Sequence, residues 1–235
     1  MPEIIEPRVL KGFRDYLPEA EQARNSLLSR LESVFRSFGF VPIDTPALEY
    51  AEILLGKGGG ETDKQVYRFA DNGGREVALR FDLTVPFARF MAEHVEELYL
   101  PFRRYHMAKV WRGENTQRGR YREFMQCDFD IVGTDSASAD ADIVLVIAAS
   151  IGALDAGAAK IRVNHRALFN RFLARSRCLD KSVSILRSVD KIEKIGKEKT
   201  KVLLSAEVGS VIADDILSFI EPGKDFEATL EKMAS

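Results

Sequence analysis

At 235 residues and 46% hydrophobic, the chain can bury a sizeable core in one domain plus an appendage. Its 34 Lys and Arg stand against 36 Asp and Glu, and a net charge of −2 excludes a global attraction to nucleic acid, so any RNA contact must come from local patches. The two cysteines, Cys127 and Cys178, lack metal spacing and any disulfide-framework pattern, which favours a reducing cytoplasm. The N-terminus has no charged-then-apolar signal arrangement and no apolar run reaches membrane length, so a soluble cytoplasmic protein with no membrane partner is expected.

In chain order, Pro18 to Phe38 forms the first predicted helix. Leu27, Leu28, Leu31, Val34, Phe35 and Phe38 recur at helical spacing, and Gly39 suits the C-terminal cap. The run FVPIDTP follows as a strand ending at Pro46. Gly56 to Phe69 is glycine-rich but lacks the Gly-Lys-Ser/Thr ending of a phosphate-binding loop, so it reads as a lid or surface loop. Val77 to Thr84 (VALRFDLT) alternates with period two: Val77, Leu79, Phe81 and Leu83 make an apolar face, and Arg80, Asp82 and Thr84 share the other. Pro86 is expected to end that strand, and FARFMAEHVEEL opens a helical pattern. Ser136 to Gly157 is the most apolar helix, capped by Ser136 or Ser138 and buried on nearly all sides. KIRVNH is expected as a buried strand, ALFNRFLAR as a helix, and the charged stretch from Asp180 as short amphipathic helices. The expected division is therefore a core over residues 1–180 and a helical appendage over 181–235.

The most informative stretch runs from Arg103 to Gly133, two alternating segments joined by the loop Asn115-Thr116-Gln117-Arg118-Gly119. From Arg120 onward the even positions are Arg120, Arg122, Phe124, Gln126, Asp128 and Asp130. The odd positions are Tyr121, Glu123, Met125, Cys127, Phe129 and Ile131. Successive side chains of a strand point to opposite faces, so the odd set, Glu123 aside, packs a core, and Cys127 reads as a small core residue. The even set carries cations, an aromatic ring, an amide and two carboxylates on one surface, with Arg112 and Glu114 in the same register before the loop. Such a surface is either the solvated face of a hairpin or the floor for a ligand with anionic, aromatic and cationic parts, such as a nucleotide beside an amino acid. Val77 to Thr84 offers the same mixture, which suggests one shared site on neighbouring strands. His94, His106 and His165 form no metal-spaced cluster; His106 is a candidate to share the site face, with packing or solvent as the default.

RGRYREFMQCDFDIVG, with VWRGEN before it and LRFDLTVPFARF upstream, resembles the second signature motif and histidine-site strand of histidyl-tRNA synthetases. KGFRDYLPEA and LLSRLESVFRSFGFVPIDTPALEY resemble the N-terminal element and first motif of that family, and DLTVPFAR is the form typical of its eukaryote-like branch. The likeness runs from about Lys11 to roughly Lys194. It implies an α+β fold, a class II synthetase-type antiparallel sheet flanked by helices with a short helical C-terminal appendage. It also implies histidine activation by ATP, which carries Mg2+ with it, followed by transfer to histidine tRNA. A homodimer built on the first-motif helix and strand is implied as well.

By that likeness Arg112 matches the arginine aimed at the α-phosphate, Glu114 the carboxylate at the adenine edge, Phe124 the ring stacked on the base, and Arg120 a further phosphate contact. Asp82, Thr84 and Gln126 match the groups that hold the histidine ammonium, Asp130 matches the carboxylate facing the imidazole, and Asp128 has no assigned role. No dedicated metal site is expected. Nothing after Ile195 matches the family's later segments, its third motif or its anticodon-binding domain, so the chain reads as the N-terminal part of a catalytic domain, weak or inactive alone. Two other readings share these features: a histidine sensor like the regulatory subunit of ATP phosphoribosyltransferase, and a non-catalytic binding or dimerisation module.

Overall fold

The computed structural model describes residues 5–56 and 65–234, and residues 57–64 of the glycine-rich segment lie outside the described residues. The chain parts into two compact units between Ile161 and Arg162.

In the first unit, helix α1 (Pro18–Ser37) starts where Pro18 loses nothing by lacking an N–H, and Glu19 and Glu21 sit in its first turn against the helix dipole. Strands β5 (Phe102–Trp111) and β6 (Glu123–Val132) form an antiparallel ladder from Phe102↔Val132 to Trp111↔Glu123. The two-residue strand β1 (Val41–Pro42) adds to β5 in parallel. The odd face of this ladder is apolar, as its alternation requires. Tyr105, Met107, Phe129 and Ile131 pack with Leu31 and Phe35 of α1, Phe38 and Phe40 just beyond it, and Ile143 and Val146 of α4 (Ala137–Ala153). Phe35 lies 5.4 Å from Tyr105 and 5.1 Å from Phe129 between ring centroids. A fully buried side chain among them, such as Phe35, contributes about 1.5–3 kcal/mol. Glu123, the polar exception on the odd face, accepts from Lys109 Nζ and Trp111 Nε1. Cys127 packs on the same side, and burial pushes its thiol up to about 11, which leaves it protonated at neutral pH.

A second sheet has the order β2 (Leu48–Tyr50), β4 (Glu76–Leu79), β3 (Arg68–Ala70), all antiparallel. Its core joins Ala78 to Ala51 and Leu54 of α2 (Ala51–Leu55), with Phe81 and Val85 packed against them.

Here the structure corrects several sequence expectations. The strands carrying the polar residues do not lie in one sheet. β4 stops at Leu79, because the Asp82 carboxylate accepts from Val85 N–H and starts helix α3 (Thr84–His94). Pro86 therefore sits in the first turn of α3, where its missing N–H is harmless, and does not end a strand. Arg80, expected on the ligand face, is buried and joins the sheets: its Nε donates to Lys109 O and its Nη1 to Thr45 O, while its own carbonyl accepts from Trp111 N–H at 2.9 Å. The FVPIDTP strand shrinks to Val41 and Pro42, with Ile43 N–H still bonded to Tyr105 O. Helix α4 begins at its Ser136 cap as expected, but buries only one stripe because the sheet covers one side of it, and Leu145 is 55% exposed.

The second unit is helical: α5 (Arg166–Arg175), α6 (Ser182–Val189), α7 (Ile192–Ile195), α8 (Lys197–Val208), α9 (Ser210–Ile220) and α10 (Phe226–Ala234). Gly209, at φ +87°, makes the break between α8 and α9 that an L side chain would resist. Phe169, Leu173, Cys178, Ile185, Leu204, Ala213, Ile216 and Leu217 form its core. Helix α5 thus belongs to the second unit, and the boundary falls before the expected residue 180, since Phe169 and Leu173 find their apolar partners in α6, α8 and α9. KIRVNH is not a strand: among the described residues no strand pairs with it, and Val163 is 71% exposed.

Candidate functional site

The even face of the β5–β6 ladder carries the polar cluster. The ladder sets Asp130 opposite Arg104, Asp128 opposite His106, Gln126 opposite Ala108 and Phe124 opposite Val110. The β6 members are half-buried, whereas Arg104 and His106 across from them are closed off from solvent.

At one end, Arg112 leaves β5 just beyond Trp111. Its backbone N–H donates to Arg122 O, its Nε donates to Phe81 O at 2.9 Å, and its guanidinium carbon lies 5.1 Å from the Phe124 ring centroid, within cation–π range. The bond to Phe81 O brings the chain at Asp82 beside Arg112, so the Arg80 stitch between the sheets also assembles the site. In the middle, Gln126 Nε2 donates to both oxygens of Asp128 at 3.0 Å, which gives Asp128 a partner where the sequence offered none. At the other end, Asp130 forms an ion pair with Arg104.

The Asp128 charge acts on both Asp82 and Asp130 across this face. Burial raises the Asp82 carboxyl above its ordinary value; the Val85 N–H and Arg112 oppose the rise, and Asp128 adds to it. Burial likewise raises Asp130, with Arg104 opposing and Asp128 adding. A half-buried surface holding carboxylates against this cost favours a cationic ligand that pairs with them. The Arg112–Phe124 end offers a cation and a ring face. One end therefore suits an ammonium or a ring N–H, and the other suits a phosphate beside a flat base.

Of the residues expected at the site, Asp82, Arg112, Phe124, Gln126 and Asp130 come together. Thr84 opens α3 on its exposed side and has no strand position. Glu114 and Arg120 lie on the hairpin loop, with Arg120 Nη1 3.8 Å from Glu114 Oε2 and the Arg120 side chain 70% exposed. Arg122 is not on the ligand face. The strand begins only at Glu123, and Arg122 is spent on the N-terminal segment: its N–H donates to Gly12 O and its guanidinium donates to Glu114 O and Lys11 O. Gly12, at φ +89°, has no room for a side chain there, because a Cβ would stand 2.7 Å from Arg122 Cγ.

Two further residues of this face are buried. Arg104 carries no expectation from the sequence, and His106, whose default there is packing or solvent, lies on the site face. The signal was present: an antiparallel ladder that pairs Val110 with Phe124 also pairs the other even positions of β5 with those of β6. His106 Nε2 lies 3.0 Å from Asp44 Oδ1, and burial holds its imidazole below the ordinary value despite that bond.

The family model described as histidyl-tRNA synthetase matches residues 12–207. The chain belongs to the histidyl-tRNA synthetase family. A histidine–tRNA ligase from Treponema denticola is 54% identical over 99% of this chain and 53% of its own length. Another from Rhodopirellula baltica is 53% identical over 98% of the chain and 52% of its own length. The chain thus spans about half the length of the curated relatives it matches. The crystal structure of the histidyl-tRNA synthetase from Nostoc sp. superposes with a TM-score of 0.85 at 32% identity, over 97% of this chain and 52% of that one. The fold is accordingly α+β and of the class II synthetase type, and these synthetases come from bacteria. A Bacillus halodurans protein titled as an ATP phosphoribosyltransferase regulatory subunit/histidyl-tRNA synthetase shares the fold at a TM-score of 0.60 and 19% identity, so the fold alone does not separate ligase from sensor.

Proposed function

We propose that the whole protein is a histidine–tRNA ligase. It activates histidine with ATP to histidyl-adenylate and transfers the histidyl group to histidine tRNA. The observation that carries this reading is the grouping of Asp82, Arg112, Phe124, Gln126 and Asp130 about one half-buried face.

The chemistry sets a role for each. The histidine carboxylate attacks the α-phosphate of ATP, pyrophosphate leaves, and negative charge gathers at phosphorus. Arg112, fixed through Phe81 O, stabilises that charge with a planar fork suited to phosphate oxygens. Phe124 stacks on the adenine and Glu114 accepts from its amino edge. Arg120, on the hairpin loop, meets the phosphates. Asp82, Gln126 and Thr84 hold the histidine ammonium, and Asp130 accepts from the imidazole N–H. Mg2+ arrives as the ATP complex. The protein works in the cytoplasm, and no helix among the described residues is long and apolar enough to cross a membrane. It dimerises through α1 and the strand that follows.

Histidine-dependent exchange of pyrophosphate into ATP by the full-length protein tests this reading. Robust exchange supports it. Tight histidine binding with no exchange would favour a sensor.

A further inference from the structure

Among the described residues Arg104 is the largest side chain wholly excluded from solvent, and it stands across the ladder from Asp130 of the candidate histidine site. Its guanidinium carbon stands 4.0 Å from the ring centroid of Phe87, itself buried in α3, and its Nη2 meets Asp130 Oδ2. None of its three nitrogens has an aligned hydrogen-bond acceptor among the described residues. As a stability device this is poor. A buried ion pair can be replaced by hydrocarbon of similar volume at little or no cost, because desolvation consumes most of the attraction.

As a device for orienting a carboxylate it is well made. Arg104 sits directly across the ladder from Asp130, on the central strand of the β1-β5-β6 sheet, with the Phe87 ring over its guanidinium carbon. Its rigid fork can hold a carboxylate in one direction where a flexible ammonium could not. Asp130 is partly open to solvent, its side chain 41% exposed where that of Arg104 is closed off. The other charged or titratable groups nearby do not displace the pair. Asp128 is bound by Gln126, His106 faces Asp44, Asp82 is tied to the start of α3, and Arg112 is anchored at Phe81 O.

We propose that Arg104 is a positioning residue of the amino-acid pocket, fixing the Asp130 carboxylate so that one oxygen is held inside the protein and the other is presented to a ring N–H of the ligand. This rests on Asp130 being the histidine-binding carboxylate. It adds a basis for selectivity: an amino acid whose side chain lacks an N–H at that point leaves a fixed, half-buried acceptor unpaired, a mismatch that sites of this kind reject strongly. Arg104 also opposes the burial and the Asp128 charge that push the Asp130 carboxyl up, and so favours its charged form.

The test has two arms. In the ligand-free chain, the Asp130 carboxyl is followed by carbon-13 NMR against pH in the parent and in Arg104→Met. The midpoint should move upward in the variant, and an unchanged midpoint overturns the proposal. In the full-length protein, Arg104→Met should weaken histidine binding at neutral pH on the order of tenfold or more, as removing an outer partner of a ligating group does in metal sites. The lost affinity should return as pH rises relative to the parent, a profile that a merely structural role would not produce. Arg104→Met in an Asp130→Asn background should change histidine affinity by less than about twofold, since Arg104 acts only through Asp130. That pair also serves if Arg104→Met alone does not fold, and a further large loss there overturns the proposal. If Asp130→Asn binds histidine like the parent, the reading of Asp130 fails and the pocket role of Arg104 fails with it, while the NMR arm still reports whether Arg104 governs Asp130.

Discussion

Gly12→Ala tests how the N-terminal segment holds the second-motif hairpin. The substitution forces an L residue to φ +89° and sets its Cβ 2.7 and 2.8 Å from Arg122 Cγ and Cδ and 2.8 Å from Thr116 Cγ2. The backbone conformation alone costs about 1–2 kcal/mol. Displacing the Arg122 stem also endangers its 3.1 Å bond to Glu114 O, and bonds of that charged kind are worth about 1.5–3 kcal/mol. Arg122 is only half-buried and can swing outward, so the expected loss lies at the low end of the combined range, about 2.5–3 kcal/mol. The single tryptophan, Trp111, ends the β5 strand next to the hairpin loop and reports on the first unit alone, so urea unfolding followed by its fluorescence reads the change. In the full-length protein the same variant should raise the KM for ATP, because Arg122 O anchors the backbone N–H of Arg112. Unfolding within about 0.5 kcal/mol of the parent would show that Arg122 does not pack against Gly12.

Asp130→Asn should weaken histidine binding by about 1.5–3 kcal/mol in calorimetry and leave ATP binding unchanged. It strands a buried Arg104, so the variant's stability is measured alongside, and equal losses for both ligands would point to misfolding. Arg112→Ala in the full-length protein should lower pyrophosphate exchange by about 10² or more while histidine affinity moves far less, and a small loss of exchange would refute its place at the α-phosphate. His106 is held by burial below its ordinary value, so the folded chain binds fewer protons than the unfolded chain as pH falls below about 6.5. Its share of stability is therefore present above that pH and lost on acidification. His106→Gln should shrink the drop in urea midpoint between pH 7.5 and 5.5, and an unchanged drop would show that His106 does not titrate as argued. Leu204→Ala, at a wholly buried position of the second unit, should cost about 2–5 kcal/mol by circular dichroism on unfolding, and a loss below about 1 kcal/mol would place Leu204 outside a packed core.

The sequence showed the β6 faces clearly, because a ladder with one face on a core must alternate, and Met125, Cys127 and Phe129 against Gln126, Asp128 and Asp130 leave one register possible. The α1 stripe and the Ser136 cap were legible for the same reason: the interactions that fix them are local. Arg80 was misread because its partners, Lys109 O and Thr45 O, lie 29 and 35 residues away, and alternation does not tell a buried stitch from a ligand contact. Asp82 looked like a strand residue until its bond to Val85 N–H made it the start of a helix. KIRVNH has the composition of a strand, but a strand exists only where another supplies its hydrogen bonds, and no such partner can be read from the segment itself. The exposed side of α4 was missed because apolar composition says how much a helix could bury and not how much its neighbours cover.

The spacing of the polar positions on β6 makes that strand a ruler. A strand rises about 3.3 Å per residue, so Phe124, Gln126, Asp128 and Asp130 are marks about 6.6 Å apart on a scale about 20 Å long. Inserting or deleting one residue among them would turn every later mark to the opposite face, and a change of two would slide the amino-acid end one mark away from the nucleotide end. Changes of length are thereby closed to this strand, and a related chain can alter what it recognises only by exchanging side chains at fixed marks.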